Sequence, residues 1–269
     1  MRNTWAIAKK ELTVYLTTPL AWVVFTAMAF ITSLFFMALL LSFKQVHDTV
    51  REVPGGWAQL PPEYQAFRNL TDGVVVNLWG VVLVVTLFVA PFLSMRLFAE
   101  ERRQKTFELL MTTPTRPIEI VLGKYLGGLG IVLGTLGVTI VFPVILAFIG
   151  HGESGSSLEW STVLLGYAGL LLWGATNLAI GMFISSLTES QMVSALVSFA
   201  IAMGWMLVKS LAPNADEPLR SILSYLSFDS QLQSLLKGVL DLRPLVFFSS
   251  IIVLFLMLTH RSVEAQRWT

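Results

Sequence analysis

The sequence predicts an all-α integral membrane protein that crosses a bilayer about six times. Of its 269 residues, 55% are hydrophobic and only 13% are charged, more apolar surface than a soluble fold of this length could hide. The charged residues cluster between long uncharged runs. Six of those runs approach the roughly 20 residues that a helix needs to cross about 30 Å of hydrocarbon.

The expected spans are 20–43, 73–95, 122–150, 161–186, 190–208 and 244–260, within one transmembrane domain covering 1–269. The last contains an uncharged core of only 16 residues, Pro244 to Thr259. At the helical rise this core gives roughly 24 Å, so the span has to borrow length from its flanks, with Arg243 snorkelling to the interface. Segment 216–243 is expected to be re-entrant or external, because its apolar stretch from Leu232 to Leu240 is too short to cross and return. Residues 44–72 read as an outside loop whose Pro54, Gly55, Gly56, Pro61 and Pro62 make turns, and 150–160 as a short Gly/Ser-rich connection.

Lysine and arginine decide the threading, since they are retained on the cytoplasmic side. With the N-terminus inside, the cytoplasmic segments hold 11 of the 18 basic residues, which predicts cytoplasmic N- and C-termini. The first apolar run is longer than a signal-peptide core, so a cleaved leader is not expected. The absence of Cys excludes disulfides and thiolate chemistry, and a net charge of +1 predicts no nucleic-acid partner.

In the N-terminal segment 1–19, Trp5, Ala8, Leu12, Tyr15 and Leu16 recur at helical spacing, while Lys9, Lys10 and Glu11 fall off that stripe. This predicts an amphipathic interfacial helix. Its apolar face would lie in the headgroup boundary with its lysines toward anionic lipid, and Pro19 would end it.

The loop after the second span, 99–116, is the most informative stretch. Glu101 and Lys105 stand four apart in the favourable order, and Phe107, Leu110 and Met111 make a small apolar patch. Thr113 and Pro114 break this helix, and Pro117 with Glu119 starts the next. Taken alone, such a loop is also the basic cytoplasmic loop that any six-span protein needs.

The run RLFAEERRQKTFELLMTTPTRPIEIVLGK resembles the hallmark segment of the ABC-2 type exporter permeases, through Glu100, Glu101, Arg103, Thr106, Glu108, Leu109, Leu110, Thr113, Pro114, Gly123 and Lys124. The C-terminal KGVLDLRPLVFFSSIIVLFLMLTHRSVEAQRW resembles the gliding-motility-type subfamily of these permeases, at Gly238, Val239, Asp241, Arg243, Phe247, Phe248, Leu258, Thr259, Glu264, Arg267 and Trp268. Pro244 and Phe247 depart from that pattern, which has a polar residue and commonly Tyr there.

This resemblance implies a six-span permease of the bacterial cytoplasmic (inner) membrane, paired with an identical or related permease copy above a homodimer of ATPase subunits. ATP and Mg would be bound by the ATPase and no cofactor by this chain. The sequence agrees on one point: the phosphate-binding pattern G-x-x-x-x-G-K-[ST] is absent, and the only Gly-Lys pair, Gly123-Lys124, lacks the upstream glycine and the following hydroxyl residue. The resemblance assigns ATPase coupling to a helix containing Glu100, Glu101, Arg102, Arg103, Thr106, Glu108, Leu109, Leu110 and Thr113, with Ser186, Thr188 and Glu189 as a second cytoplasmic contact. Gly238, Asp241 and Arg243 would form an outer-face motif.

For the substrate pathway or its gating, the candidates are Asn77 and Asn177, polar residues at membrane depth, and Pro91 and Pro143, which remove backbone hydrogen bonds inside spans. The glycines of the third and fourth spans read first as sites of close helix packing. Catalytic and metal chemistry is not indicated, since His47, His151 and His260 are far apart and match no ligand spacing. The spans hold no Asp or Glu, which argues against an ion-driven transporter. Gly155-Ser156 lacks the strand-turn-helix setting of a nucleophile elbow, so an intramembrane hydrolase is poorly supported. The principal alternative to a permease is a membrane scaffold or motility assembly factor that binds an ATPase without transporting anything.

Overall fold

The computed structural model describes residues 2–54, 56–59, 61–107, 115–149, 158–211, 213 and 216–266. Every regular element among them is helical, and six helices are long and apolar enough to cross a membrane. The chain is a multi-pass membrane protein.

Helix α1 (Arg2–Thr17) is followed by α2 (Pro19–Glu52), with Pro19 at the first helical position, where its missing N–H costs nothing. At 34 residues α2 is about 50 Å long, well past the hydrocarbon thickness. The expected outside loop at 44–72 therefore begins as helix: Lys44 and Asp48 end the apolar run but do not stop the helix, which continues until just before Pro54. Two 3₁₀ segments (Gly56–Gln59 and Pro62–Arg68) and one π-turn (Thr71–Val76) lead into α3 (Asn77–Ser94).

A short α4 (Ala99–Arg103) lies after the α3 corner. The third span divides into α5 (Pro117–Thr139) and α6 (Val141–Ile149). Pro143, read as removing a backbone hydrogen bond inside the third span, lies in the first turn of α6 after a break at Ile140, where an unsatisfied N–H is ordinary. The remaining elements are α7 (Trp160–Leu187), α8 (Gln191–Leu211), α9 (Leu219–Leu226), α10 (Phe228–Leu236) and α11 (Leu242–Ala265).

Helix α7 is the hub, packed by α3, α5, α8, α10 and α11. Its glycines admit these neighbours: Gly166 faces Trp79 of α3, Gly169 faces Leu232 and Leu235 of α10, and Gly174 faces Val132 of α5. By contrast α2, α8 and α11 turn Trp22, Phe30, Met192, Leu196, Val246 and Met257 outward. An apolar exterior around a better-packed hub suits a lipid solvent.

Helices α9 and α10 occupy the segment expected to be re-entrant or external. Gly238 sits against Thr162, Leu232 and Leu235 against Gly169, and Phe228 stacks on Trp173 with ring centroids 4.1 Å apart. Helix α10 thus runs antiparallel to α7, from about 20 Å down that helix back to its start. The backbone break at Ser227 lies at the depth of mid-α7, where carbonyls need protein donors. Each carbonyl of the last turn of α9 receives one: Leu223 from the Ser227 N–H, Ser224 from the Ser230 hydroxyl, Tyr225 from Gln231 Nε2, and Leu226 from Trp205 Nε1. Gln231→Leu is expected to cost about 1–3 kcal/mol by orphaning the Tyr225 carbonyl, read as a lowered thermal midpoint in detergent.

Candidate functional site

The end of the bundle where α3 finishes and α5 starts gathers the charged residues of greatest interest. Helix α1 lies along α5 and buries Ala8 and Tyr15 of the expected stripe together with Glu11, which the stripe leaves out. Trp5 and Leu16 are exposed, while Ile7, Ala8, Glu11 and Leu12 enter a furrow made by Gly123, Gly127 and Gly130 of α5. The glycine furrow rotates the buried face of α1 enough to take in Glu11 and to leave Trp5 and Leu16 of the stripe outward.

Within this furrow is an ion cluster. Lys124 of α5 is 2% exposed and its Nζ lies 3.0 Å from Glu11 of α1 and 2.8 Å from Glu101 of α4. Lys10 adds a second, half-exposed ammonium at 3.4 Å from Glu11 and 3.6 Å from Glu101. Desolvation pulls the Lys10 pKa down, but the two carboxylates outweigh it and the net shift is upward. Its pairing therefore holds below the ordinary lysine range and is lost only as pH rises through the elevated value. Lys124 also stands 5.3 Å over the Phe98 ring. One lysine thus ties three helices together.

The α3–α4 corner is held from several sides. The Tyr15 hydroxyl donates to the Leu93 carbonyl at 2.5 Å, and burial raises its pKa, so it stays a donor. Arg96 grips Glu100 through Nε at 2.7 Å and Nη2 at 3.2 Å. Ser185 of α7 accepts from the Phe98 and Ala99 N–H groups and donates to the Met95 carbonyl.

Beyond this anchored side, Arg103, Gln104, Lys105 and Thr106 are exposed, and Arg102 stands 5.6 Å over the Phe107 ring, within electrostatic reach of Glu189. Helix α4 ends in a Schellman turn, with Lys105 N–H bonded to the Arg102 carbonyl and Thr106 N–H to that of Glu101. Lys105 occupies the left-handed position usually given to glycine, at φ 56°. Lys105→Gly is expected to stabilise this turn by up to about 1 kcal/mol, measurable as slower amide exchange at Thr106.

The other sequence-predicted residues separate into distinct roles. Glu101 faces inward to Lys124, and Ser186 is buried with its hydroxyl on the Phe183 carbonyl, so neither side chain forms an outer contact surface. Thr188 accepts from the Ser190 N–H, and Glu189 is exposed beside α4. Glu108, Leu109, Leu110, Thr113 and Pro114 lie outside the described residues.

The pathway candidates do not meet. Asn77 donates to the Asp72 and Gly73 carbonyls of the π-turn, whose widened geometry leaves them available. Asn177, 3% exposed, donates to the Trp173 carbonyl one turn back in α7, and its Oδ1 is buried without a hydrogen-bond partner. Pro91 lies inside α3, just before the corner. A groove of about 800 Å³ runs between α2 and α3 from Leu20 to Phe92, apolar except where Asn77 borders it.

Gly238, Asp241 and Arg243 are explained by helix termini. Gly238, at φ 76°, closes α10 in a second Schellman turn, and a side chain there would collide with Thr162. Asp241 is the N-cap of α11, accepting from the Arg243 N–H at 3.0 Å. Glu11 and Ser185 are not marked by the sequence. Glu11 looks like a solvated helix charge, and Ser185 like an ordinary small residue at the end of a span.

No curated protein shows significant similarity to the chain. The family model described as ABC-2 family transporter protein matches residues 5–262, nearly the whole length, and the chain belongs to that family.

Proposed function

We propose that the chain is the permease subunit of an ATP-driven exporter in the bacterial cytoplasmic membrane, of the gliding-motility type, with both termini cytoplasmic. It works beside a second permease copy, identical or related, above a homodimer of ATPase subunits. ATP and Mg reside on those subunits, this chain binds no cofactor, and membrane lipids cover its exposed apolar faces and the outward side of α1. The observation that carries this reading is the construction of α4: a short helix with a charged outer side, braced from within by Lys124, Glu11 and Ser185. A rigid element with fixed ends passes on a rigid-body displacement that a loose loop would dissipate. Arg102, Arg103 and Thr106, with the segment carrying Glu108, Leu109, Leu110 and Thr113, are the first contact for the ATPase, and Thr188 with Glu189 the second. The α2–α3 groove, bordered by Asn77 and ending near Pro91, is the proposed moving part.

The test is affinity purification from native membranes followed by a conformational readout. A P-loop ATPase is expected to co-purify. The chain has no native Cys, and a side chain at Gly80 meets nothing within 4 Å, so Gly80→Cys supplies the only thiol of the chain, at an open site on α3. Its maleimide reactivity is expected to change on adding ATP and vanadate. A scaffold would bind the ATPase with no such change, and an absent ATPase would end the exporter reading.

A further inference from the structure

We propose that Ser185 is the positioning residue through which displacement of α4 reaches the central helix α7, and through it the rest of the bundle. This deepens the exporter reading above and rests on it. Ser185 is fully buried, and its single hydroxyl serves three backbone groups of the α3–α4 corner. It accepts from Phe98 N–H at 3.1 Å and Ala99 N–H at 3.0 Å, and donates to the Met95 carbonyl at 3.0 Å. These are groups that helix ends leave without intrahelical partners. Phe98 and Ala99 are themselves fully buried, so water does not replace the hydroxyl there.

One turn earlier on the same face of α7, Gly181 lies directly against Ser94, the last residue of α3, so closely that a Cβ would collide with its hydroxyl. The corner is thus both hydrogen-bonded and close-packed to α7. Packing alone lets helices slide, whereas three directional hydrogen bonds to one atom resist push, pull and sliding together. Among the described residues, α4 otherwise meets the bundle through its chain connection to α3, through the Lys124 cluster of α5 and α1, and through a smaller contact with α8. With the clamp, motion enters the helix that α3, α5, α8, α10 and α11 all pack against. The far side of the same turn is tied as well: the Ser186 carbonyl accepts from Ser262 of α11 and from Gln266, its C-cap, at 3.4 and 3.3 Å.

The experiment uses the full chain with its ATPase subunit in lipid nanodiscs, as parent, Ser185→Ala and Ser185→Thr. Deuterium exchange over residues 96–104 is expected to accelerate about tenfold at Phe98 and Ala99 in Ser185→Ala and to stay near the parent rate in Ser185→Thr, which keeps the hydroxyl. Ser185→Ala is expected to retain the ATPase subunit yet lose the ATP-driven change in Gly80→Cys reactivity, and Ser185→Thr to keep it. Should Ser185→Ala reduce folded yield, Ser185→Cys, with a weaker acceptor, carries the same expectations for exchange and for ATP-driven conformational change read by exchange. Unchanged exchange, or faster exchange with the ATP-driven change intact, would overturn the role of Ser185 while leaving the exporter reading in place. A parent chain that binds no ATPase would overturn that reading, and the transmission role with it.

Discussion

Lys124→Met is expected to be among the most damaging single substitutions in the chain. It leaves Glu11 and Glu101 facing each other where the lysine was 2% exposed, and Glu101 Oε2 already lacks a hydrogen-bond partner. Removing the buried partner of an ion pair costs up to about 3–5 kcal/mol, and here the half-exposed Lys10, 3.4 Å from Glu11 and 3.6 Å from Glu101, compensates the two carboxylates only in part. For a chain of this size that corresponds to a fall of roughly 10 °C in the thermal midpoint. The triple variant Lys124→Met with Glu11→Gln and Glu101→Gln is expected to recover most of the loss, since replacing a buried charge cluster as a unit is often close to neutral. A single variant as stable as the parent would mean that water reaches the cluster and the three-helix tie is weak.

The second large effect is expected at Gly127. A Cβ there would stand 2.6 Å from Glu11 Cβ and 3.1 Å from the Ala8 carbonyl oxygen. The backbone of α1 has no way to yield except by moving, so Gly127→Val is expected to lift α1 from its furrow and cost about 1–3 kcal/mol or more. Ala8 is 5% exposed in the docked helix and the chain is free of thiols, so Ala8→Cys reports the event directly. The thiol is expected to resist maleimide in the parent background and to react in Gly127→Val. Equal reactivity in both would show that α1 is not held by α5.

Much of this architecture is legible in the sequence because charge is costly in hydrocarbon, so uncharged runs mark the membrane layer. The same signal misleads about helix ends. Lys44 and Asp48 mark where α2 leaves an apolar environment, yet backbone hydrogen bonding carries it on to Glu52. Polar residues mislead in a second way around Ser227. Ser230 and Gln231 are polar, yet they supply hydrogen bonds to carbonyls at a backbone break deep beside α7. Polarity in a sequence does not distinguish contact with water from satisfaction of a buried backbone.

The candidate site is legible only in its outer part. The charged run Glu100 to Arg103 and the helix start at Pro117 are local patterns, and local patterns can be read. The ion cluster joins Glu11, Glu101 and Lys124 from three separate helices, and the Ser185 clamp joins positions nearly 90 residues apart. No periodicity links such residues. The nearest available signal was the glycine series at 123, 127 and 130, which foretold a close neighbour for α5 without saying that α1 would bring a carboxylate to Lys124.

The central claim, that the α4 end of the bundle is where an ATPase docks and drives the permease, is tested most directly by site-specific photo-crosslinking in native membranes. Photoreactive residues are placed singly at Lys105 and Glu189, both exposed at that end, and at Asp48 and Tyr225 elsewhere on the surface. The account predicts a crosslinked P-loop ATPase from Lys105 and Glu189, and none from Asp48 or Tyr225. Crosslinks to an ATPase from the second pair, or to no ATPase from the first, would contradict it.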